Sequence, residues 1–193
     1  METKIADYEF SHVELLCFQN YMPPFARAKG GSILKGVNYA SGSTGIRDES
    51  GSQLVYNTSR QYTPQQYAAA LVEQYSQQIK VLYRLGARKF ALYGLGLLGC
   101  TPIAISVYGT NGARCVDKIK HCLTNGTCCK VGGSGGELCI RNSKPCSDRS
   151  RYVFWDAIHP SDAWNELVAK IAYRTNSTKG AHPCNIQTLA KLK

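Results

Sequence analysis

Residues 63–96 read TPQQYAAALVEQYSQQIKVLYRLGARKFALYGLG, and their pattern sets the fold class. Thr63 is a natural helix N-cap, Pro64 suits the first helical position, and Gln66 completes a capping box with Thr63. Tyr67, Leu71, Tyr75, Ile79 and Leu82 then recur at spacings of three and four, which predicts a helix from about Thr63 to Leu85 with one apolar face. Gly86 can adopt the left-handed conformation that closes such a helix. The run KFALYGLG, Lys89 to Gly96, is short, apolar and bounded by glycine, and it reads as a buried strand. A helix feeding a short apolar strand through a tight glycine turn is one half of a parallel α/β unit.

A second helix is expected near the C-terminus, capped by Ser161, with Trp164, Leu167, Val168 and Ile171 as its apolar stripe. Residues 111–150 are rich in Gly, Cys, Asn and Ser and lack periodicity, so they read as a long disulfide-stapled loop. There are no internal repeats. With 193 residues, 44% of them hydrophobic, the chain can bury one sizeable core and is expected to form a single domain. Its formal charge of +10 comes from 23 Lys and Arg that are scattered rather than clustered. The densest groups are Arg84 with Arg88 and Lys89, and Lys118 with Lys120, so a solvated surface is expected and a nucleic-acid partner is not.

Six of the nine cysteines (Cys115, Cys122, Cys128, Cys129, Cys139 and Cys146) share one short stretch, which favours an oxidising compartment. The N-glycosylation triplets at Asn57, Asn125 and Asn176 point the same way. The N-terminus METKIADYEFSHVELLCFQN has no basic segment followed by an apolar one, so it does not read as a signal peptide. No apolar run approaches the roughly 18 to 20 residues of a membrane span. Secretory chemistry without a secretory address leads us to expect a truncated product or an incomplete gene model.

The chemistry concentrates in RYVFWDAIHPSDAWN, Arg151 to Asn165, where Asp156 precedes His159 by three residues at the mouth of a capped helix. A carboxylate beside an imidazole can fix its tautomer and stabilise the imidazolium, as a general base of serine chemistry requires. Asp156 could equally serve the loop alone. Gly132 to Gly136, centred on Ser134, formally fits G-x-S-x-G, but it lies in a cysteine-glycine loop without the strand and helix that a nucleophile elbow needs. His121, Cys122, Cys128, Cys129 and Cys139 are candidate zinc ligands, yet adjacent cysteines cannot easily chelate one ion, so disulfides are expected and no metal.

WDAIHPSDAWN resembles the last conserved block of the plant GDSL esterases/lipases of the SGNH-hydrolase family. GVNYASGSTGIRDESG (Gly36–Gly51) is similar to the family's second block, Ser59–Pro102 to its central helix and strand, and CCKVGGSGGELC (Cys128–Cys139) to its late cysteine loop. Two blocks have no counterpart. The Gly-Asp-Ser block that presents the nucleophile is not matched in these residues, and the Gly-x-Asn-Asp block of the oxyanion asparagine should fall where the sequence passes directly from Gly51 to Asn57. A second gap follows Cys115, and Leu97 stands where the family usually has proline.

The resemblance implies an incomplete three-layer α/β/α, flavodoxin-like parallel sheet and the hydrolysis of carboxylic esters, including lipid esters, without a cofactor. It implies His159 as vestigial general base, Asp156 as its orienting partner and, more weakly, Gly42 beside Ser41 as an oxyanion donor. The expected partner is a small-molecule or lipid ester, and the expected location is extracellular. The competing expectation is a secreted binding module without catalysis, or a partial product with no function of its own.

Overall fold

The computed structural model of the chain describes residues 15–18, 20, 22–40, 45–46, 62–94, 96, 98–108, 123–132 and 137–192. They gather into two compact units, one centred on Asn20–Ala91 and the other on Leu92–Lys193.

In the first unit the chain folds through short 3-10 turns at Phe25–Arg27 and Gly30–Lys35. Phe25 stacks on Tyr39 with ring centroids 4.9 Å apart. Helix α1 spans Pro64–Arg84 and starts as its sequence predicts. Thr63 Oγ1 accepts the Gln66 N–H at 3.3 Å, and Gln66 Oε1 accepts the Thr63 N–H at 2.9 Å. At its end Gly86 takes φ +109°, while Ala87 N–H donates to Leu82 O at 3.0 Å and Gly86 N–H to Tyr83 O at 3.1 Å. That pair of bonds is a Schellman closure, which a residue with a Cβ would strain. Tyr67, Leu71, Tyr75 and Ile79 are half-buried, but Leu82 stays 50% exposed and extends the expected stripe into solvent.

The expected strand at Lys89–Gly96 is not seen among the described residues. Residues 89–94 belong to no ladder among the described residues, and Leu92 is 57% exposed. An extended apolar segment becomes a strand only when a neighbour takes up its N–H and C=O groups, so propensity alone does not decide it.

The second unit opens with a 3-10 turn at Leu98–Cys100 and helix α2, Pro102–Tyr108, where buried Thr101 Oγ1 accepts the Ala104 N–H at 3.3 Å. Strand β1, Leu123–Thr127, pairs in parallel with β2, Tyr152–Phe154, in the register Leu123 to Tyr152 and Thr127 to Phe154. Residues 111–150 are therefore not loop throughout. Pairing with β2 makes a strand of LTNGT, a segment with little β propensity of its own. The connection between β1 and β2 is a cystine loop, stapled by Cys128–Cys146 and, nested inside it, Cys129–Cys139. Cys115 and Cys122 lie outside the described residues.

Helix α3, Asp162–Arg174, and helix α4, Ile186–Lys191, complete the unit. Ser161 Oγ accepts the Trp164 N–H at 3.2 Å as the expected cap, and its hydroxyl donates to Tyr152 O, joining helix to strand. The packed face of α3 carries Asn165, Ala169 and Tyr173, whereas Leu167 and Ile171 of the expected stripe are exposed. Asn185 links the helices, with Nδ2 donating to Thr175 O at 3.0 Å and Oδ1 accepting the Thr188 N–H at 2.8 Å. Every buried apolar residue among those described lies in this unit: Cys128, Cys129, Val153, Phe154, Ala157, Ala169 and Tyr173.

Candidate active site

The segment after β2 folds into a tight turn that returns to α3. Trp155 N–H donates to His159 O at 2.8 Å, and Ser161 N–H to Val153 O at 2.7 Å, so the two ends of Val153–Ser161 are tied together. Asp156 sits inside this turn and is only 4% exposed. Its Oδ1 accepts the N–H groups of Ile158 at 2.9 Å and His159 at 2.7 Å. A buried carboxylate is costly unless its lone pairs are occupied, and these bonds occupy them.

The second oxygen, Oδ2, lies 2.8 Å from His159 Nδ1. A carboxylate can only accept, so the ring must carry its proton on Nδ1, and in the neutral form Nε2 is left as the acceptor. The His159 side chain is 38% exposed, against 6% for that of Asp156. The pair is therefore a buried anchor and a half-open imidazole, able to take a proton from a hydroxyl brought to Nε2. Among the described residues no hydroxyl is hydrogen-bonded to that nitrogen.

The turn is held from outside by main-chain groups. Cys129 N–H donates to Trp155 O at 3.0 Å, Ala157 N–H to Glu137 O at 3.0 Å, and Ile103 N–H, from the start of α2, to Ala157 O at 3.2 Å. None of these could be read from the sequence, because any residue but proline presents the same N–H and C=O. Beside them the Arg149 guanidinium lies over the Trp155 ring, 5.2 Å from its centroid. Arg149 and Trp155 were legible only as a nearby cation and aromatic.

Of the expected site residues, Asp156 and His159 are thus brought together. Gly42, Ser41, Ser134, His121 and Cys122 lie outside the described residues. Zinc is excluded at Cys128, Cys129 and Cys139, whose sulfurs are spent in disulfides. Among the described residues no group of three or more His, Cys, Asp or Glu side chains could hold a metal.

A family model described as GDSL-like Lipase/Acylhydrolase matches residues 51–172. The chain is similar to the GDSL esterase/lipase At1g29660 of Arabidopsis thaliana, 31% identical over 282 aligned residues that cover 93% of this chain and 78% of that protein. It is also similar to GDSL esterase/lipase At1g29670 of the same plant, 30% identical with 93% and 77% covered. GDSL esterase/lipase 7, again from Arabidopsis thaliana, is 27% identical with 97% and 80% covered. No solved structure matches. The alignment with At1g29660 runs over 282 positions and the chain has 193 residues, so at least 89 aligned positions (282 − 193) have no residue here.

Proposed function

Since the chain belongs to the GDSL-like lipase/acylhydrolase family, we propose that His159 is the general base of a serine ester hydrolase and Asp156 its orienting partner. The 2.8 Å contact between Asp156 Oδ2 and His159 Nδ1 carries this reading. In that chemistry a serine oxygen attacks the ester carbonyl while Nε2 takes its proton. Asp156 stabilises the imidazolium that results, and the proton then passes to the leaving alcohol. The resulting acyl-enzyme is released by water through the same base. The substrate we propose is a carboxylic ester with a lipid or other small acyl chain, and no cofactor takes part.

The 193 residues match neither the Gly-Asp-Ser block nor the oxyanion asparagine block, so we propose that this chain hydrolyses esters at trace level at most. A base and its orienter accelerate nothing without a nucleophile, and loss of one oxyanion donor alone typically costs on the order of 100 to 1,000-fold. The weaker expectation that Gly42 supplies a remaining donor stands with this reading. We read the residues as one partial domain, since the family match at 51–172 runs through both compact units.

We also propose an extracellular location and glycosylation, supported by the two disulfides and the exposed sequon residue Asn176. The alternative, a secreted binding module without catalysis, draws its support from the same unmatched blocks. No helix among the described residues is long and apolar enough to cross a membrane. The test is labelling by a fluorophosphonate probe alongside hydrolysis of a short-chain nitrophenyl ester. We expect neither above background. Robust labelling that disappears in His159→Ala would show that a serine has been recruited, and the deficiency would be disproved.

A further inference from the structure

Asp156 is held from both sides by a single disulfide-closed loop. The carbonyl before it, Trp155 O, accepts from Cys129 N–H, and the amide after it, Ala157 N–H, donates to Glu137 O, each at 3.0 Å. Cys129 is bonded to Cys139 across a separation of 10 residues, and Glu137 stands just ahead of Cys139, so both anchors lie on the loop that this bridge closes. Among the described residues, Gly132 N–H to Leu138 O at 3.1 Å and Ile140 N–H to Lys130 O at 2.8 Å also tie the two arms together. The bonds of the dyad itself run inside residues 155–159, and a five-residue turn on its own is marginal in water. Outside the cystine loop, Ile103 N–H to Ala157 O and Ser161 N–H to Val153 O also restrain the turn.

We infer that the Cys129–Cys139 disulfide is a positioning device for the Asp156–His159 pair, which keeps its geometry only while the bridge is closed. The inference rests on the reading of His159 as general base with Asp156 as its orienter. A dithiol such as dithiothreitol opens the bridge by exchange. Its thiolate attacks one protein sulfur to give a mixed disulfide, and its second thiol displaces that sulfur. Two cysteine thiols and one cyclic oxidised dithiothreitol result. The base would thus be assembled in an oxidising compartment and dismantled in a reducing one.

The test uses the whole 193-residue protein, labelled with nitrogen-15, and follows three NMR signals: the His159 Nδ1–H proton, exchange at the Ala157 amide, and the amide of Ala169 within α3. In oxidised protein we expect an Nδ1–H signal that Asp156→Ala removes. In Cys129→Ala/Cys139→Ala we expect that signal to vanish and Ala157 exchange to quicken by about tenfold or more, while Ala169 stays protected. An Nδ1–H signal that persists in the double variant overturns the inference and leaves the dyad standing. Its absence from oxidised wild type, or its survival in Asp156→Ala, overturns the dyad as well. Should the double variant not fold, wild type is titrated with dithiothreitol. Loss of Nδ1–H before Ala169 protection supports positioning, and simultaneous loss overturns it.

Discussion

Replacing Asp156 with asparagine separates the two jobs of its carboxylate. Asp156→Asn keeps an oxygen for the Ile158 and His159 amides but turns the other atom into a donor, which cannot hold a proton on Nδ1. We expect stability within about 1 kcal/mol of wild type by urea denaturation, together with loss of the Nδ1–H signal. Asp156→Ala, which strands two amides, should cost about 3 kcal/mol. Ser161 stands close to His159 in sequence, yet it is 2% exposed with its proton committed to Tyr152 O, so it cannot be the nucleophile. On the surface, the Ser150 hydroxyl beside Asp148 holds that carboxyl below its ordinary range. A depressed carboxylate stabilises the fold above its unfolded value, and the contribution is lost as pH falls through the folded one. An NMR titration should show the low midpoint, and Ser150→Ala should raise it.

Helices were legible in the sequence because their signals are local. Thr63, Pro64, Gln66 and Gly86 each act within a turn or two of themselves, and α1 begins and ends where they place it. Ser161 was legible for the same reason. Strands were not, because a strand is a property of two segments. KFALYGLG has the composition yet joins no ladder among the described residues, while LTNGT lacks the composition and pairs with β2. The Asp156–His159 pair could be read from three-residue spacing, but the amides that clamp its turn could not. One contact between elements gives a sharp test. A Cβ on Gly180 would lie 2.8 Å from Thr175 Cγ2 and 2.9 Å from Ile171 Cγ2, both on stiff β-branched side chains. Gly180→Ala should cost about 1 to 3 kcal/mol in thermal or urea unfolding, and an unchanged midpoint would refute the crowding.

For the molecule as a whole, the small core among the described residues sets the expectation. The buried apolar residues described are few, and Val153 is the largest side chain that is fully enclosed. Meanwhile Leu85 is 80% exposed, Val72 66% and Leu92 57%. Exposed apolar surface of this kind, with an incomplete sheet, favours aggregation over cooperative folding. We expect a broad thermal transition and binding of a hydrophobic dye by the isolated chain. A sharp transition in a monomeric sample would contradict this. Within so small a core Val153→Ala should cost about 2 kcal/mol.

The nesting of the two disulfides bears on how the chain acquires them. Cys128 and Cys129 are neighbours, and their partners, Cys146 and Cys139, lie downstream on the same loop, so four thiols allow three pairings. Exchanging the partners of the adjacent pair turns nested rings into interlaced ones at little cost in loop closure, since ring size enters only logarithmically. Chain entropy therefore barely tells the two isomers apart. Discrimination falls to the ladder, where Cys128 N–H meets Phe154 O and Cys129 N–H meets Trp155 O. Reoxidation in denaturant should yield scrambled isomers of equal mass, separable by reversed-phase chromatography, whereas a disulfide isomerase acting under native conditions should funnel them into one peak.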